Sequence, residues 1–191
     1  MLELSALSSR LDPGPSQEPA PGDRAAAVLT LMIEEPAPAL LFTERAAAMS
    51  RHAGEISFPG GLRDPGDGTL RDTALREAHE EVGLDPLAPR ILGALAPIHT
   101  FVSAILVTPF VAVIATLPPL TLSAGEIARA FTVPVRTLVA VEEHHVLHRD
   151  ARGTLHGWRY DTGDATIWGA TGFILHALLD LLQEEAPWLM S

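Results

Sequence analysis

Two apolar runs, residues 25–33 and 39–44, flank the turn-rich segment "EEPAP" and predict a β-hairpin. Residues 55–58 ("EISF") predict a short strand that runs into a Pro-Gly-Gly turn. Leu75, Ala78 and Val82 then recur at i, i+3 and i+7, the spacing of one helix face. Thr69 and Asp72 have the spacing of a capping box, which starts this helix near Leu70, and Gly83 stands where a left-handed residue would end it. Residues 91–100 and 105–115 read as strands. Residues 123–145 combine a short strand near Ala128 with a helix after Pro134. Residues 154–161 read as a strand, and 169–185 as a closing amphipathic helix. Strands on both sides of a central helix predict an α/β or α+β class with a mixed sheet. Residues 11–23 hold four prolines and two glycines and predict an extended, poorly ordered linker. The ten residues before it predict a short helix that either docks or frays. The expected organisation is a flexible extension over 1–23 and one domain over 24–191.

Composition narrows the function classes. A 191-residue chain with 47% hydrophobic and 19% charged residues can bury one sizeable core. Absence of cysteine removes thiolate and disulfide chemistry and fits a cytoplasmic location. A formal net charge of −11 disfavours nucleic acid and anionic membranes as partners. The most apolar region, residues 104–120, is interrupted by Pro109 and ends in Pro118 and Pro119, so it predicts buried strand rather than a membrane span. The same negative charge would repel an anionic substrate unless a cation stood between them.

Glu77, Glu80 and Glu81 crowd the last two turns of the central helix, where the helix dipole presents its negative end. By angle they are expected on an arc well away from the Leu75–Ala78–Val82 stripe. Like charges at i,i+3 and i,i+4 each cost about 0.2–0.5 kcal/mol. Either this is a solvated acidic face, with Arg76 paired to Asp72 and Glu80, or it is a site for a hard divalent cation. Mg²⁺ is commonly held by one or two carboxylates plus substrate phosphates. The neighbouring Gly60-Gly61 turn favours the second reading, because a loop without side chains lets phosphate approach the backbone.

The run "GGLRDPGDGTLRDTALREAHEEVGL" resembles the signature of the Nudix hydrolases, with Arg76, Glu77, Glu80, Glu81, Gly83 and Leu84 matching its helical half. Asp67 takes the place of its loop acid, six residues after Gly61, and the distance from Gly61 to Arg76 is one residue longer than the general pattern. That extension, and the upstream run "LFTERAAAMSRHAGEISFPGG", resemble the coenzyme A-cleaving branch of the family. Leu41, Thr43, Arg45, Ala46, Gly54, Phe58, Pro59, Gly60 and Gly61 match, whereas Phe42 replaces a leucine and Ser50 stands at a second arginine's place, beside Arg51. The resemblance covers residues 41–84, about a quarter of the chain. It implies a mixed sheet sandwiched between helices and a diphosphatase requiring Mg²⁺ or Mn²⁺. It further implies Glu77, Glu81 and Glu80 as metal ligands, Glu80, Glu81 and Arg76 as catalytic residues, and Arg45, Arg51, Gly60 and Gly61 against the substrate. The implied substrate is coenzyme A. Because residues 41–54 enter the loop from upstream, Arg45 is the expected contact for its 3′-phosphate, the charge that ADP-ribose and NADH lack. A Nudix hydrolase of another nucleoside diphosphate derivative, or a non-catalytic nucleotide sensor, is the alternative. The partner is a small molecule, with no nucleic acid and no membrane, and the pattern is compatible with an oligomer.

Overall fold

A computed structural model describes residues 5–14, 19–20, 22–47, 54–100, 104–150 and 153–187. Strands β1 (Arg24–Ile33) and β2 (Ala39–Arg45) form the expected hairpin, paired at Met32–Leu40 and Ile33–Ala39 before they diverge. Lower down, β1 pairs antiparallel with β4 (Gly60–Leu62) and, on its other side, parallel with β7 (Ile105–Ile114) over its whole length. β3 (Ile56–Ser57) and β8 (Ile127–Pro134) pair with β2, and β5 (Arg90–Ala94) and β6 (Ile98–His99) pair with β7. The result is one mixed eight-stranded sheet.

Pro109 lies inside β7, a strand with partners on both sides. Its carbonyl accepts from Leu95 N–H at 2.9 Å, so its missing donor would face the same way. That is the gap between β5 and β6, where the ladder is already broken and no strand partner is lost. Residues 91–100 are therefore two short strands instead of the single one expected.

Helix α2 (Leu70–Val82) packs on one face of the sheet, with Leu70, Ala74, Ala78 and Val82 against Ala27, Leu29 and Leu31. Helix α4 (Gly169–Glu185) joins the cluster of the other face, with Ile174, Leu175, Leu178 and Leu182 alongside Met32, Leu40 and Phe42. Helix α3 (Val135–Ala140) follows Pro134 as expected but stops at Ala140. Residues beyond it form β9 (Glu142–Asp150), which pairs with β10 (Gly153–Asp161) and through it with β11 (Thr166–Ile167) in a second sheet.

The described part of residues 1–23 is not a loose extension. Helix α1 (Ser5–Arg10) buries Leu7, Leu11 is buried after it, and Arg10 reaches Glu184 and Glu185 of α4. Asp12 exchanges two backbone hydrogen bonds with Ala94, at 2.9 and 2.7 Å. Apolar burial at Leu7 and Leu11, worth about 1.5–3 kcal/mol for a leucine, outweighs the proline-rich composition that predicted disorder. Among the described residues no helix is long and apolar enough to cross a membrane.

Candidate active site

Helix α2 begins as its sequence requires. The Thr69 hydroxyl accepts from Asp72 N–H at 3.2 Å, and Asp72 accepts from Thr69 N–H at 2.9 Å. It ends at Gly83 with φ 71°. The loop after β7 satisfies its last carbonyls, Thr121 N–H donating to Val82 O and Ser123 N–H to Glu81 O.

The three glutamates do not share one solvated arc, which corrects the expectation from sequence. Glu81 is buried at 2% exposure on the sheet side, Glu77 is half-buried, and Glu80 is exposed. The buried face runs through Leu70, Thr73, Ala74, Ala78, Glu81 and Val82, while Leu75 lies only at its border. The helix is rotated about one residue from the expected stripe because the Leu70–Ala74–Ala78–Val82 row, not Leu75, meets β1.

β4 creates the room these carboxylates occupy. A Cβ at Gly61 would come within 2.6 Å of both Glu77 carboxylate oxygens, so no larger residue fits there without displacing them. Gly60, at φ 157°, donates its N–H to Glu81 Oε2 at 3.1 Å. A Cβ there would lie 2.4 Å from Ala27 O. The Arg45 guanidinium approaches Glu81 Oε1 at 3.7 Å from the end of β2. Burial, opposed by the Gly60 hydrogen bond and Arg45, pushes the Glu81 carboxyl up to about 7, and Glu77 and Glu126 push the same way. Burial also raises the Glu77 carboxyl despite Arg76 beside it.

Arg76 holds the surrounding frame. Its Nε and Nη2 grip Asp67 at 2.9 and 3.0 Å, Nη2 also reaches Leu62 O at 3.1 Å and Glu77 at 3.0 Å, and Nη1 reaches Glu80 at 2.8 Å. The expected pairing of Arg76 with Asp72 is absent, since Asp72 is consumed by the cap. Asp67, which also accepts from Thr73 Oγ1 and Asp64 N–H, is buried, and Arg76 foremost holds its carboxyl far below the usual range.

Of the residues singled out from sequence, Glu77, Glu81, Gly60, Gly61 and Arg45 come together, with Arg76 behind them. Glu80 lies at the rim on Arg76 and is not aimed beside Glu81 as a third ligand. Arg51 lies outside the described residues. Glu126 was missed. Its carbonyl accepts from Ala46 N–H at 2.8 Å, and its turn is closed on Ser123, which hangs from Glu81 O. An exposed side chain there adds negative charge opposite Glu77 and Glu81. A lone Glu in a polar turn carries no local signal, and only the long-range bonds of that turn reveal it.

The donor set fits a hard divalent cation. Among the described residues no three His, Cys, Asp or Glu side chains converge on one point. Two under-satisfied carboxylates beside a side-chain-free turn, with the remaining positions left to water and phosphate oxygens, are the arrangement Mg²⁺ accepts.

Residues 23–153, more than half of the chain, match the NUDIX domain family. The chain belongs to the Nudix hydrolase family. Curated relatives agree: it is 37% identical over 190 residues to the uncharacterized Nudix hydrolase NudL of Photorhabdus laumondii, covering 96% of this chain and 100% of that one. The corresponding protein of Cronobacter sakazakii is 38% identical over 156 residues, 81% of each chain. Among solved structures, a MutT/nudix family protein from Enterococcus faecalis matches with TM-score 0.54 at 15% identity, over 89% of this chain and 63% of that one. The Nudix hydrolase RenU of M. smegmatis matches with TM-score 0.51 at 24% identity, over 61% and 74%. These two likenesses concern the fold. Nudix hydrolases act on nucleoside diphosphate derivatives and generally use divalent cations, which agrees with the donor set at Glu77 and Glu81.

Proposed function

We propose that this Nudix hydrolase is a coenzyme A diphosphatase, which splits its substrate to 3′,5′-ADP and 4′-phosphopantetheine with Mg²⁺ or Mn²⁺. The observation that carries the hydrolytic part is the buried, under-satisfied Glu81 beside Glu77 and the Gly60-Gly61 turn. The choice of coenzyme A rests on the run from Leu41 to Gly61, which delivers Arg45 to that same place.

Glu77 and Glu81 would hold the cation, which when bound neutralises diphosphate oxygens and lowers the pKa of bound water. Gly60 and Gly61 leave the diphosphate an open approach to the helix. Arg45 neutralises charge on Glu81 and presents its remaining N–H groups to the substrate's diphosphate. Arg76 acts as a positioning residue, because its Nε, Nη1 and Nη2 are already engaged by Asp67, Glu77, Glu80 and Leu62 O. Glu126 and Glu80 are the carboxylates available at the rim to take a proton from the attacking water.

The test is a product assay with coenzyme A, ADP-ribose, NADH and diadenosine polyphosphates, each with Mg²⁺ and with Mn²⁺. Coenzyme A should give the highest kcat/KM, with 3′,5′-ADP as a product. A clear preference for ADP-ribose, NADH or a dinucleotide would overturn the substrate assignment while leaving the hydrolase intact.

A further inference from the structure

Arg45 faces Glu81 at 3.7 Å and, in the proposed reading, the diphosphate, so a second anionic group on the substrate needs another cation. All thirteen basic side chains of this chain are arginines, set against 24 acidic ones, which makes unpaired positive charge scarce. Two of the thirteen line a single cleft of about 390 Å³, together with Ala25, Leu62, Asp64 and Pro65. The Arg24 guanidinium makes no hydrogen bond or ion pair among the described residues. Its neighbouring carboxylate, Asp23, is taken by His99 Nε2 at 2.8 Å. Arg63 gives hydrogen bonds only to neutral carbonyls, Asp67 O and Gly68 O at 3.2 Å each. One of the Asp64 carboxylate oxygens is turned back on Gly66 N–H at 2.9 Å, leaving a single negative charge against two guanidinium groups.

The cleft begins next to the carboxylate site along β4, since Leu62 in its lining directly follows Gly61. The ladder of β4 extends one residue, with Arg63 N–H donating to Ala25 O at 2.9 Å, so Gly61 and Arg63 lie on the α2 face of the sheet. Arg24, the first residue of β1, alternates to the other face and lines the cleft from the end of the strand. Gly61 meets Glu77, and two residues of extended chain place Arg63 about 7 Å further on. That is the scale on which a phosphomonoester and a diphosphate are set apart when one ribose carries both.

We infer that the Arg24–Arg63 cleft receives a phosphomonoester of the substrate, distinct from the diphosphate handled at Glu77 and Glu81, with Arg24 as its specificity contact. This rests on the coenzyme A reading, in which the 3′-phosphate is that group. Exposed arginine suits it through forked, charge-assisted hydrogen bonds.

Steady-state kinetics with coenzyme A and dephospho-coenzyme A test the assignment. Arg24→Ala should raise KM for coenzyme A about tenfold more than for dephospho-coenzyme A, and Arg24→Lys should recover part of that difference. An equal change for the two substrates, or none, overturns the inference and leaves the diphosphatase reading standing. Calorimetry makes the result independent of turnover, using 3′,5′-ADP, 5′-AMP and inorganic phosphate as probes. Wild type should favour 3′,5′-ADP over 5′-AMP, and Arg24→Ala should lose that preference even if coenzyme A proves not to be cleaved. Absence of the preference in wild type, or a response to inorganic phosphate matching that to 3′,5′-ADP, also overturns it.

Discussion

Asp67 and Glu81 are both buried carboxylates of one signature, one in the acidic loop before α2 and one near its end, yet their environments drive them in opposite directions. Asp67 receives two guanidinium N–H bonds, a threonine hydroxyl and a backbone N–H, all at 2.8–3.0 Å, and its carboxyl is held ionised. Glu81 is more deeply buried and receives one backbone N–H at 3.1 Å and an arginine at 3.7 Å. Its carboxyl is pushed up to about 7. Burial alone therefore does not distinguish a carboxylate the protein satisfies from one it leaves under-satisfied, as proposed for cation binding at Glu81. What distinguishes them is whether the protein supplies the donors itself or leaves the charge for something else to complete.

The largest expected effect separates the two residues by activity. Glu81→Gln should lower kcat/KM by roughly 10²–10³-fold or more, because the charge that would hold the cation is gone. The fold should keep or gain stability without metal, since the substitution removes an under-satisfied buried charge. Near-wild-type turnover in this variant would end the parallel between frustration and function.

Asp67→Asn should do the reverse in kind. It strips Arg76 of its main partner and should cost about 2–3 kcal/mol in denaturant unfolding, less than a fully buried pair because Arg76 is 28% exposed. Activity should fall only as far as Arg76 releases Glu77. A neutral effect on stability would show that the fork at Asp67 is not structural.

The pH dependence of metal-free stability sharpens the contrast further. Glu81 has a folded pKa above its ordinary 4.5, so between about 4.5 and 7 the folded chain binds a proton that the unfolded chain has released. This contribution makes stability fall as pH rises through that window, by up to about 3 kcal/mol. Asp67 has a folded pKa below its ordinary 3.8, so its contribution is present above 3.8 and is lost as pH falls below it. Urea unfolding from pH 3 to 8 should show the first slope in wild type and only a smaller one, left by the buried Glu77, in Glu81→Gln.

The start and end of α2 were legible because their signals are local: Thr69 and Asp72 satisfy each other, and Gly83 takes the left-handed conformation other residues resist. The hairpin, the closing helix and the mixed sheet followed from apolar periodicity. The face on which Glu81 falls was not legible. It depends on the docking of α2 against β1 and on a hydrogen bond from Gly60, 21 positions away. β9 escaped notice because "EEHHVLHRD" carries polar residues on both faces, as a strand paired only with β10 can. Glu126 and Arg24 share the same limit, since each gains meaning from groups that only the folded chain brings near.

The central claim is that Glu81 is a buried charge completed by a divalent cation, and isothermal calorimetry of Mg²⁺ or Mn²⁺ binding near pH 6 tests it most directly. In buffers of different ionisation enthalpy, wild type should bind the cation with net proton release, because the Glu81 carboxyl must ionise to become a ligand. Glu81→Gln should bind far more weakly and release no proton from that position. Equal affinity and equal proton release in the two proteins would place the cation elsewhere and contradict the account.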